Sequence, residues 1–411
     1  MLRDHATTDA TRYDVARVRA AYPSLAAGGA HFDGPGGSQT PLPVARAVHD
    51  TMVSPIGNRG TVTAPERRAE QVVRAARQAV ADLLGADPRG VVFGRSMTQL
   101  TFDAARTLSA TWSPGDEVVV SRLDHDANVR PWVIAAERAG ATVRWVDIDP
   151  VTTELTVAHV TAVLSERTRL VAVTGASNLV GTRPDIAAIA AEVHRTRALV
   201  YVDGVHLTAH ARVDLSALGA DFYACSPYKF SGPHCGVLTA NPALLEELHP
   251  DKLVPSTDAV PERFELGTLP YELLAGTTAA VDFLAGLVEE ERGADRRQAV
   301  LASMAAVEAH EDSLRRDLEE RLTDFPAIVL HSRAGVRTPT LLMTLTDRSA
   351  AEASRFLADR RVYAPAGTFY AHEPAQRLGL MAGGLRVGFA PYTDTSDVER
   401  LIDGVAAFLA D

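Results

Sequence analysis

Lys229 is the residue of this sequence whose type most clearly suggests chemistry. The chain has 41 lysines and arginines, but lysine occurs only at positions 229 and 252. Arginine stays protonated in proteins, whereas burial can lower the pKa of a lysine until its amine becomes a nucleophile. Lys229 is therefore a candidate nucleophilic amine. Chance retention of one or two lysines explains the count alone equally well.

The stretch around Lys229, residues 224–236, reads ACSPYKFSGPHCG and contains both cysteines of the chain. Structural zinc sites need four ligands with paired spacing, and Cys225, His234 and Cys235 do not provide them, so we predict no metal here. A disulfide does not suit a strand-loop-strand segment of a cytoplasmic protein. A free cysteine inside an apolar strand is usually a small buried hydrophobe. The chemistry of this stretch is therefore expected at the lysine.

Polar side chains follow the ends of several short apolar runs elsewhere in the chain. Each of them alone has a structural explanation, such as a turn or a cap. Together they supply a carboxylate, a lysine, an imidazole and a hydroxyl-bearing turn at the start of a helix, which is the set that pyridoxal phosphate requires. The residues concerned are Ser96, Met97, Thr98, His125, Asn128, Ser177, Asn178, Asp203, His206, Ser226, Tyr228 and Lys229.

Each of these group types has a task in pyridoxal phosphate chemistry. A lysine amine forms a Schiff base with the cofactor aldehyde, and a carboxylate keeps the pyridine nitrogen protonated so that the ring withdraws electrons from the substrate carbon. A flat side chain can cover one face of the ring, while hydroxyl and backbone donors can bind the phosphate. The combination predicts a pyridoxal phosphate site.

Seven short apolar runs must position these groups, and helical patterns separate most of the runs. Because the runs are continuous and not alternating, they indicate a mostly parallel sheet that is covered on both faces. Ligands of such sheets bind at the carboxyl ends of the strands, where the polar residues stand. The runs cover residues 91–94, 117–121, 142–148, 169–175, 198–204, 221–226 and 236–240.

The predicted fold class is therefore α/β: a large domain with a mostly parallel, mixed seven-stranded sheet between helices, and a smaller α+β C-terminal domain. A long helical pattern covers about residues 272–322, and strand-like runs and a final helix follow it. We expect the N-terminal segment to pack with the small domain. The predicted units are 1–25 for this segment, 26–285 for the large cofactor-binding domain and 286–411 for the small domain.

Composition narrows the possible partners. The 411 residues carry a formal net charge of −11, which argues against nucleic acid or an anionic membrane surface as the main partner. The sequence shows no signal-like apolar region at its start and nothing approaching a membrane-spanning run. Two cysteines in the whole chain fit a reducing compartment. We expect a cytoplasmic protein that acts on a small molecule.

The chain resembles the class V, cysteine desulfurase-like branch of fold-type I pyridoxal phosphate enzymes. The resemblance runs from about residue 31 to the C-terminus. It implies a pyridoxal phosphate enzyme that is a homodimer with shared active sites, because members of this family usually are. The segments that carry the resemblance read RSMTQL, DHDANVRPW, ASNLVGT, VDGVHLTAH, CSPYKFSGPHCGVL, FELGT and LRVGFAPY.

The resemblance also implies a task for each matching residue. Lys229 would be the Schiff-base lysine, Asp203 would pair with the pyridine nitrogen, and His125 would stack on the ring, which makes these three the catalytic candidates. Asn178 and His206 would bond the ring hydroxyl region. The other implied assignments are phosphate binding by Met97, Thr98, Ser226 and Tyr228, contact of Gly267 and Thr268 with the phosphate of the partner subunit, and substrate binding by Arg386, Asn178 and Gly36.

One feature of the desulfurases in this family has no counterpart in the sequence. Those enzymes carry a cysteine on a mobile loop shortly before the arginine that binds the substrate carboxylate, and this cysteine receives sulfur as a persulfide. The corresponding segment, residues 362–386, contains no cysteine. Cys225 and Cys235 are poor substitutes because both are predicted on strands beside the cofactor lysine. Sulfur transfer by that route is not expected.

The leading hypothesis is a lyase of specialised metabolism that cleaves the C–S bond of an S-substituted cysteine or related amino acid. Lys229 would remove the α-proton, and β-elimination would yield pyruvate, ammonia and a thiol. The alternatives are decarboxylation-coupled oxidative deamination or epimerisation of a modified amino acid, and a regulator that binds the cofactor without turnover. The loop around Phe369, Tyr370 and His372 either lines a pocket for a larger S-substituent or is an ordinary surface loop.

Overall fold

A computed structural model describes residues 13–288 and 295–411 of the chain. Residues 1–12, which belong to the predicted N-terminal segment, lie outside the described residues. The strands are β1 Ala30–His31, β2 Val91–Gly94, β3 Glu117–Ser121, β4 Thr142–Val146, β5 Thr168–Thr174, β6 Leu199–Asp203, β7 Phe222–Cys225, β8 Gly236–Ala240, β9 Ile328–Leu330, β10 Thr340–Leu345, β11 Val362–Tyr363, β12 Ala366–Gly367 and β13 Gly384–Gly388.

The helices connect and cover these strands. They are α1 Val15–Ala20, α2 Leu42–Met52, α3 Ala64–Leu84, α4 Met97–Ser109, α5 Arg130–Ala139, α6 Val157–Thr161, α7 Ile186–Val193, α8 Leu207–His210, α9 Leu215–Leu218, α10 Pro242–Glu247, α11 Tyr271–Ala285, α12 Arg296–Leu322, α13 Ala350–Ala358, α14 His372–Arg377 and α15 Thr395–Ala410. None of the helices in the described part of the chain is long and apolar enough to cross a membrane.

A seven-stranded sheet forms the centre of the larger part of the molecule. Its strand order is β2-β8-β7-β6-β5-β3-β4. The neighbours from β7 to β4 pair in parallel, whereas β8 runs antiparallel to both β7 and β2. The predicted α/β fold with a mixed seven-stranded sheet is therefore confirmed, and each of the seven apolar runs overlaps one strand of this sheet.

The two faces of this sheet pack into separate hydrophobic cores. In β3, Val118 and Val120 point into one core, whereas Val119 points into the other. Successive side chains of a strand alternate between the faces, so a strand covered on both sides must be apolar at every position. Helices α4 and α5 lie over the first core, and α3 and α7 lie over the second. Double burial explains the continuous apolar runs.

The C-terminal part contains a smaller four-stranded antiparallel sheet with the order β12-β13-β10-β9. Its core is formed with α13 and α15 and includes Leu385, Val387 and Phe389. The helical pattern predicted over about residues 272–322 corresponds to two helices, α11 and α12. Gly286 follows the last residue of α11, and its backbone N–H donates to the last carbonyls of that helix. Residues 289–294, between the two helices, lie outside the described residues.

The described N-terminal residues contact the C-terminal part. The Tyr13 hydroxyl donates to the carbonyl of Pro391 at 2.6 Å. Arg19 pairs with Asp394 at 2.9 Å and with Asp397 at 2.6 Å. The Tyr22 hydroxyl lies 2.7 Å from that of Ser231, so the N-terminal segment also contacts the central part, and its packing with the small domain stays a prediction. The boundaries at residues 25 and 285 stay a prediction.

Candidate active site

A cleft of about 370 Å³ opens at the carboxyl ends of the parallel strands. This volume lies in the range of about 300–1,000 Å³ that is typical of small-molecule sites. The strands, the glycine-rich turn after β1 and the segment between β12 and α14 all contribute to its wall. The residues that line it are Asp33, Pro35, Gly36, Ser96, Met97, Thr98, His125, Ala127, Thr174, Ala176, Asn178, Asp203, Val205, His206, Ser226, Tyr228, Lys229, Phe369, Tyr370 and Arg386.

Lys229 enters the cleft from a short 3-10 turn, Pro227–Lys229, which joins β7 to the antiparallel β8. Its ammonium group donates to the backbone carbonyl of Pro35 in the glycine-rich turn. Burial, together with the cation of Arg386, lowers the pKa of Lys229 to about 8. The ammonium form of Lys229 is therefore only slightly favoured near neutral pH. The free amine, which is the form that attacks an aldehyde or accepts a proton, is easily reached.

Asp203 is the last residue of β6 and is 4% exposed. One carboxylate oxygen accepts a hydrogen bond from the backbone N–H of Val205 at 3.0 Å. Burial raises the pKa of Asp203 to about 6, and the cation of Lys229 opposes the rise. A carboxylate that burial destabilises has a strong preference for a cationic partner, and a protonated ring nitrogen is such a partner.

His125 follows β3, and its Nδ1 accepts a hydrogen bond from the Ala127 N–H at 3.0 Å. Burial and the nearby Lys229 lower the pKa of His125 to about 4, so the imidazole is neutral at pH 7. The ring of Tyr370 stacks against it at 5.7 Å between centroids with an interplanar angle of 28°. A neutral, flat imidazole suits contact with an aromatic ring better than a solvated cation does.

A buried hydrogen-bond network holds the loop that carries His125. The Asp124 carboxylate, which is fully buried, accepts from Asn128 Nδ2 at 2.7 Å and from the hydroxyl of Ser121. Asn128 Oδ1 in turn accepts from the indole N–H of Trp132 at 3.0 Å. Asn128 was expected from the sequence as a strand-end residue, whereas no role was expected for Asp124 or Trp132. Their spacing of four residues on either side of Asn128 is the signal that could have indicated the network.

Asn178 and His206 each present a buried polar atom that lacks a hydrogen-bond partner within residues 13–288 and 295–411. Asn178 donates from Nδ2 to the carbonyl of Phe369 at 2.9 Å, which leaves its Oδ1 unpaired. His206 Nε2 lies 2.9 Å from the hydroxyls of both Thr338 and Thr340, which leaves its Nδ1 unpaired. Buried polar atoms are nearly always paired, so two unpaired atoms beside one cleft indicate a ligand that completes them.

The N-terminus of α4 opens into the same cleft. The hydroxyl of Ser96 caps this helix by accepting from the Gln99 N–H at 3.1 Å, and Met97 and Thr98 form its first turn. Ser226 and Tyr228 line the same cleft, and the Tyr228 ring stacks on His234 at 4.7 Å between centroids. Free N–H groups and the helix dipole favour an anion such as a phosphate at this position.

Gly236 allows β8 to approach the capping turn of α4. A Cβ at this glycine would lie 2.3 Å from the carbonyl carbon of Ser96 and 2.6 Å from the Met97 nitrogen. Both atoms belong to the backbone, so relief of the clash requires displacement of the turn. We expect Gly236→Ala to lower the free energy of unfolding by about 1–3 kcal/mol and to weaken cofactor retention.

Urea unfolding and a titration with the cofactor test this expectation. Gly286→Ala is the matched control, because φ is −91° at Gly286 and the added Cβ would meet its nearest atoms at 3.6 Å. The control should change stability by less than about 0.5 kcal/mol. Equal stability and equal cofactor affinity in the two variants would show that the approach of β8 does not hold the turn.

Arg386 extends from β13 to the cleft and is 2% exposed. Its guanidinium donates to the backbone carbonyl of Asn178 at 3.0 Å and to the Asp33 carboxylate at 2.6 Å. The guanidinium carbon also lies 3.6 Å from the ring centroid of Phe369. Arg386 was expected in the site from the sequence, whereas Asp33 was not. An aspartate in the glycine-rich turn HFDGPGGSQTP was the available signal.

Two residues implied for the cofactor lie outside the cleft of their own chain. Thr268 lines a neighbouring surface depression, which it shares with Ser96 and Thr98. Gly267 has a left-handed φ of 82°, and open space surrounds the position of its absent Cβ. His372 also lies outside the cleft, in a shallow depression beyond Tyr370. Phe369 and Tyr370 do line the cleft, whereas contact of Thr268 with a partner's phosphate stays a prediction.

Both cysteines are buried away from the cleft. Cys225 in β7 is 0% exposed and Cys235 is 1% exposed, and neither is among the cleft-lining residues. Burial raises the pKa of Cys235 to about 11 and that of Cys225 further still. Thiols in this state are poor nucleophiles at neutral pH, because the thiolate is the reactive form.

Comparison with known proteins places this arrangement in a family. Residues 30–401 match the family described as aminotransferase class-V. The chain belongs to the class V aminotransferase family. It is 33% identical over 396 residues to an uncharacterized protein of Mycobacterium tuberculosis, covering 96% of this chain and 99% of that protein. It is 31% identical over 417 residues to a cysteine desulfurase of Dickeya dadantii, covering 96% of each.

The crystal structure of the cysteine desulfurase CsdA from Escherichia coli superposes with a TM-score of 0.84 at 28% identity, covering 97% of this chain and 99% of that one. The class V chain is thus a pyridoxal phosphate-dependent enzyme of cysteine desulfurase-like type. The described residues fit this cofactor, because the cleft combines a buried amine, a buried carboxylate, unpaired polar atoms on Asn178 and His206, and the open N-terminus of α4.

Proposed function

We propose that the enzyme cleaves the C–S bond of an S-substituted cysteine or related amino acid by β-elimination. One observation carries the choice between this reaction and sulfur transfer. Segment 362–386 borders the cleft through Phe369 and Tyr370 but contains no cysteine, and the two thiols of the chain are buried elsewhere. Without a thiol at the cleft, the sulfur leaves together with its own substituent.

Lys229 is proposed to hold the cofactor through a Schiff base and then to move the proton. When bound, pyridoxal phosphate withdraws electrons from the carbon next to the substrate nitrogen. The Lys229 amine, whose pKa is lowered to about 8, accepts the proton from this α-carbon. The bond from the β-carbon to sulfur then breaks, and the thiolate takes up the proton and leaves as a thiol. The 2-aminoacrylate that remains reacts with one water molecule to give pyruvate and ammonia, so the reaction needs no oxidant.

The remaining cleft residues are proposed to bind and orient. Asp203 pairs with the ring nitrogen, and neutral His125 covers one face of the ring. Asn178 and His206 offer their unpaired Oδ1 and Nδ1 to the ring hydroxyl region. The phosphate is held by the first turn of α4 and the turn after β7, through Met97, Thr98, Ser226 and Tyr228.

Arg386 is proposed to bind the α-carboxylate of the substrate, with Asn178 and Gly36 beside it. The guanidinium is buried and fixed by Asp33 and the ring of Phe369, so it offers a preorganised cation. Tyr370 also lines the cleft and is 78% exposed, so the cleft reaches the surface beside this residue. We propose that the S-substituent of the bound substrate extends out of the cleft past Tyr370.

We further propose that the enzyme is a homodimer of the cytoplasm. Ser96 and Thr98 line both the cleft and the depression that holds Thr268, so a partner that covers this depression would approach the phosphate site. The two free, buried cysteines are compatible with a reducing compartment. Thr268 of each subunit would then complete the site of the other.

Incubation of the purified enzyme and its cofactor with S-ethylcysteine tests the reaction. The proposal predicts equal amounts of ethanethiol and pyruvate. Aldehyde formation with oxygen uptake would select the decarboxylating oxidative deaminase, and an epimerised amino acid without thiol release would select the epimerase. Alanine and persulfide from free cysteine would instead identify a desulfurase. Any of these three results in place of thiol and pyruvate would contradict β-elimination.

A further inference from the structure

The pairing of Arg386 with Asp33 has a consequence for substrate binding. The Arg386 side chain is 2% exposed and that of Asp33 is 48% exposed, so a buried cation depends on a carboxylate that remains open to the cleft. Within the described residues, Nε of this guanidinium has no hydrogen-bond partner. A buried guanidinium requires an anionic partner, and Asp33 is the carboxylate that pairs with it in this structure.

The glycine-rich turn is built to keep the Asp33 carboxylate in this position. The backbone carbonyl of Asp33 accepts from the N–H groups of Gly36 and Gly37 at 2.9 and 3.0 Å, which folds the turn around the side chain. A Cβ at Gly36 would lie 2.2 Å from Asp33 Oδ2. Glycine at position 36 thus leaves room for the Asp33 carboxylate in its observed place at the wall of the cleft.

We propose that Asp33 is a resident carboxylate that occupies the substrate-carboxylate position on Arg386 and thereby determines which substrates bind. The inference rests on the proposed role of Arg386. An incoming α-carboxylate replaces Asp33 as the ion-pair partner of the Arg386 guanidinium. The half-exposed Asp33 side chain then turns toward the opening of the cleft but stays within the cleft. A second negative charge on the substrate then meets the displaced Asp33. The preferred substrates accordingly carry neutral or cationic S-substituents.

Binding of propionate and propionamide to the holoenzyme isolates this effect. The two probes are similar in size, but only propionate has a carboxylate, and neither carries an amine that reacts with the cofactor. Asp33→Asn keeps a hydrogen-bond acceptor for Arg386 and removes the charge. We expect it to lower the Kd of propionate by about tenfold and to change that of propionamide by less than about twofold. Ligand-observed NMR titration measures both constants.

Two further variants separate charge from structure. Asp33→Glu keeps the charge and should not tighten propionate binding, whereas Asp33→Ser removes it and should reproduce the effect if Asp33→Asn fails to fold. Thermal unfolding shows which variants are native. Unchanged or weaker propionate binding by a folded neutral variant overturns the inference, because a merely structural role predicts that loss.

A substrate pair that differs by one charge tests the specificity claim. S-carboxymethylcysteine and S-carbamoylmethylcysteine differ only in an ionised carboxylate and its amide. The unaltered enzyme should have the higher kcat/KM for the amide. In Asp33→Asn, the ratio of kcat/KM for the amide to kcat/KM for the acid should fall by about tenfold. An unchanged preference overturns the specificity claim. If S-ethylcysteine is cleaved while propionate binding is insensitive to Asp33, this inference fails and the lyase proposal stands. If propionate binding changes on substitution of Asp33 but no thioether is cleaved, the lyase proposal fails and this inference stands.

Discussion

Lys229→Ala is expected to abolish both the visible absorbance of the bound cofactor and the release of thiol from S-ethylcysteine, with kcat/KM reduced by about 10³-fold or more. The same amine is proposed to hold the cofactor aldehyde and to accept the α-proton, so its removal eliminates both functions. The visible absorbance of the protein-bound Schiff base and the release of thiol measure the two effects separately.

Lys252→Ala is the matched control, since Lys252 is the only other lysine of the chain. Its ammonium group pairs with Asp258 at 3.1 Å and donates to the carbonyl of Ser256 at 3.0 Å, outside the cleft. This variant should keep the absorbance and activity of the unaltered enzyme. Retention of the visible band in Lys229→Ala, or its loss in Lys252→Ala, would contradict the assignment.

Arg386→Met is expected to reduce kcat/KM for an S-substituted cysteine by about 100-fold or more, while the cofactor absorbance persists. Methionine fills much of the buried volume but offers the substrate carboxylate no charge and no hydrogen bonds. The loss should appear mainly in KM, because the interaction is present in the bound substrate as well as in the transition state. Steady-state kinetics of thiol release provide the two constants.

Arg377→Ala is the control for the loss of an arginine from the same part of the chain. Arg377 pairs with Asp147 at 2.7 Å near the surface and does not line the cleft. Exposed ion pairs contribute little, so this variant should stay within about twofold of the unaltered enzyme. Normal KM in Arg386→Met would show that the carboxylate binds elsewhere.

The central sheet could be predicted from the sequence because its strands are buried on both faces. In runs such as EVVVS at β3, the three central residues are all valine and do not alternate with polar residues, and further polar residues stand directly after the strand. The chain itself fixes which side chains lie at the carboxyl ends of parallel strands. His125, Asn178, Asp203 and Lys229 could therefore be assigned to one site before their separations in space were known.

The partners of these residues could not be predicted, because they come from distant parts of the chain. Asp33 and Arg386 are 353 positions apart, and they meet only because the turn after β1 passes beside β13. The buried pair of His210 and Glu311, 2.9 Å apart, similarly joins α8 to α12. Neither contact has a local sequence pattern, since it depends on how the C-terminal part packs on the central sheet.

Reduction of the holoenzyme with borohydride, followed by peptide mass analysis, tests directly whether Lys229 forms the Schiff base with the cofactor. Reduction fixes the cofactor to the amine that holds it, and the chain offers only two lysines. We expect the pyridoxyl group on Lys229, in the peptide that contains residues 224–236. A modified Lys252, or loss of the visible band without modification of either lysine, would contradict it.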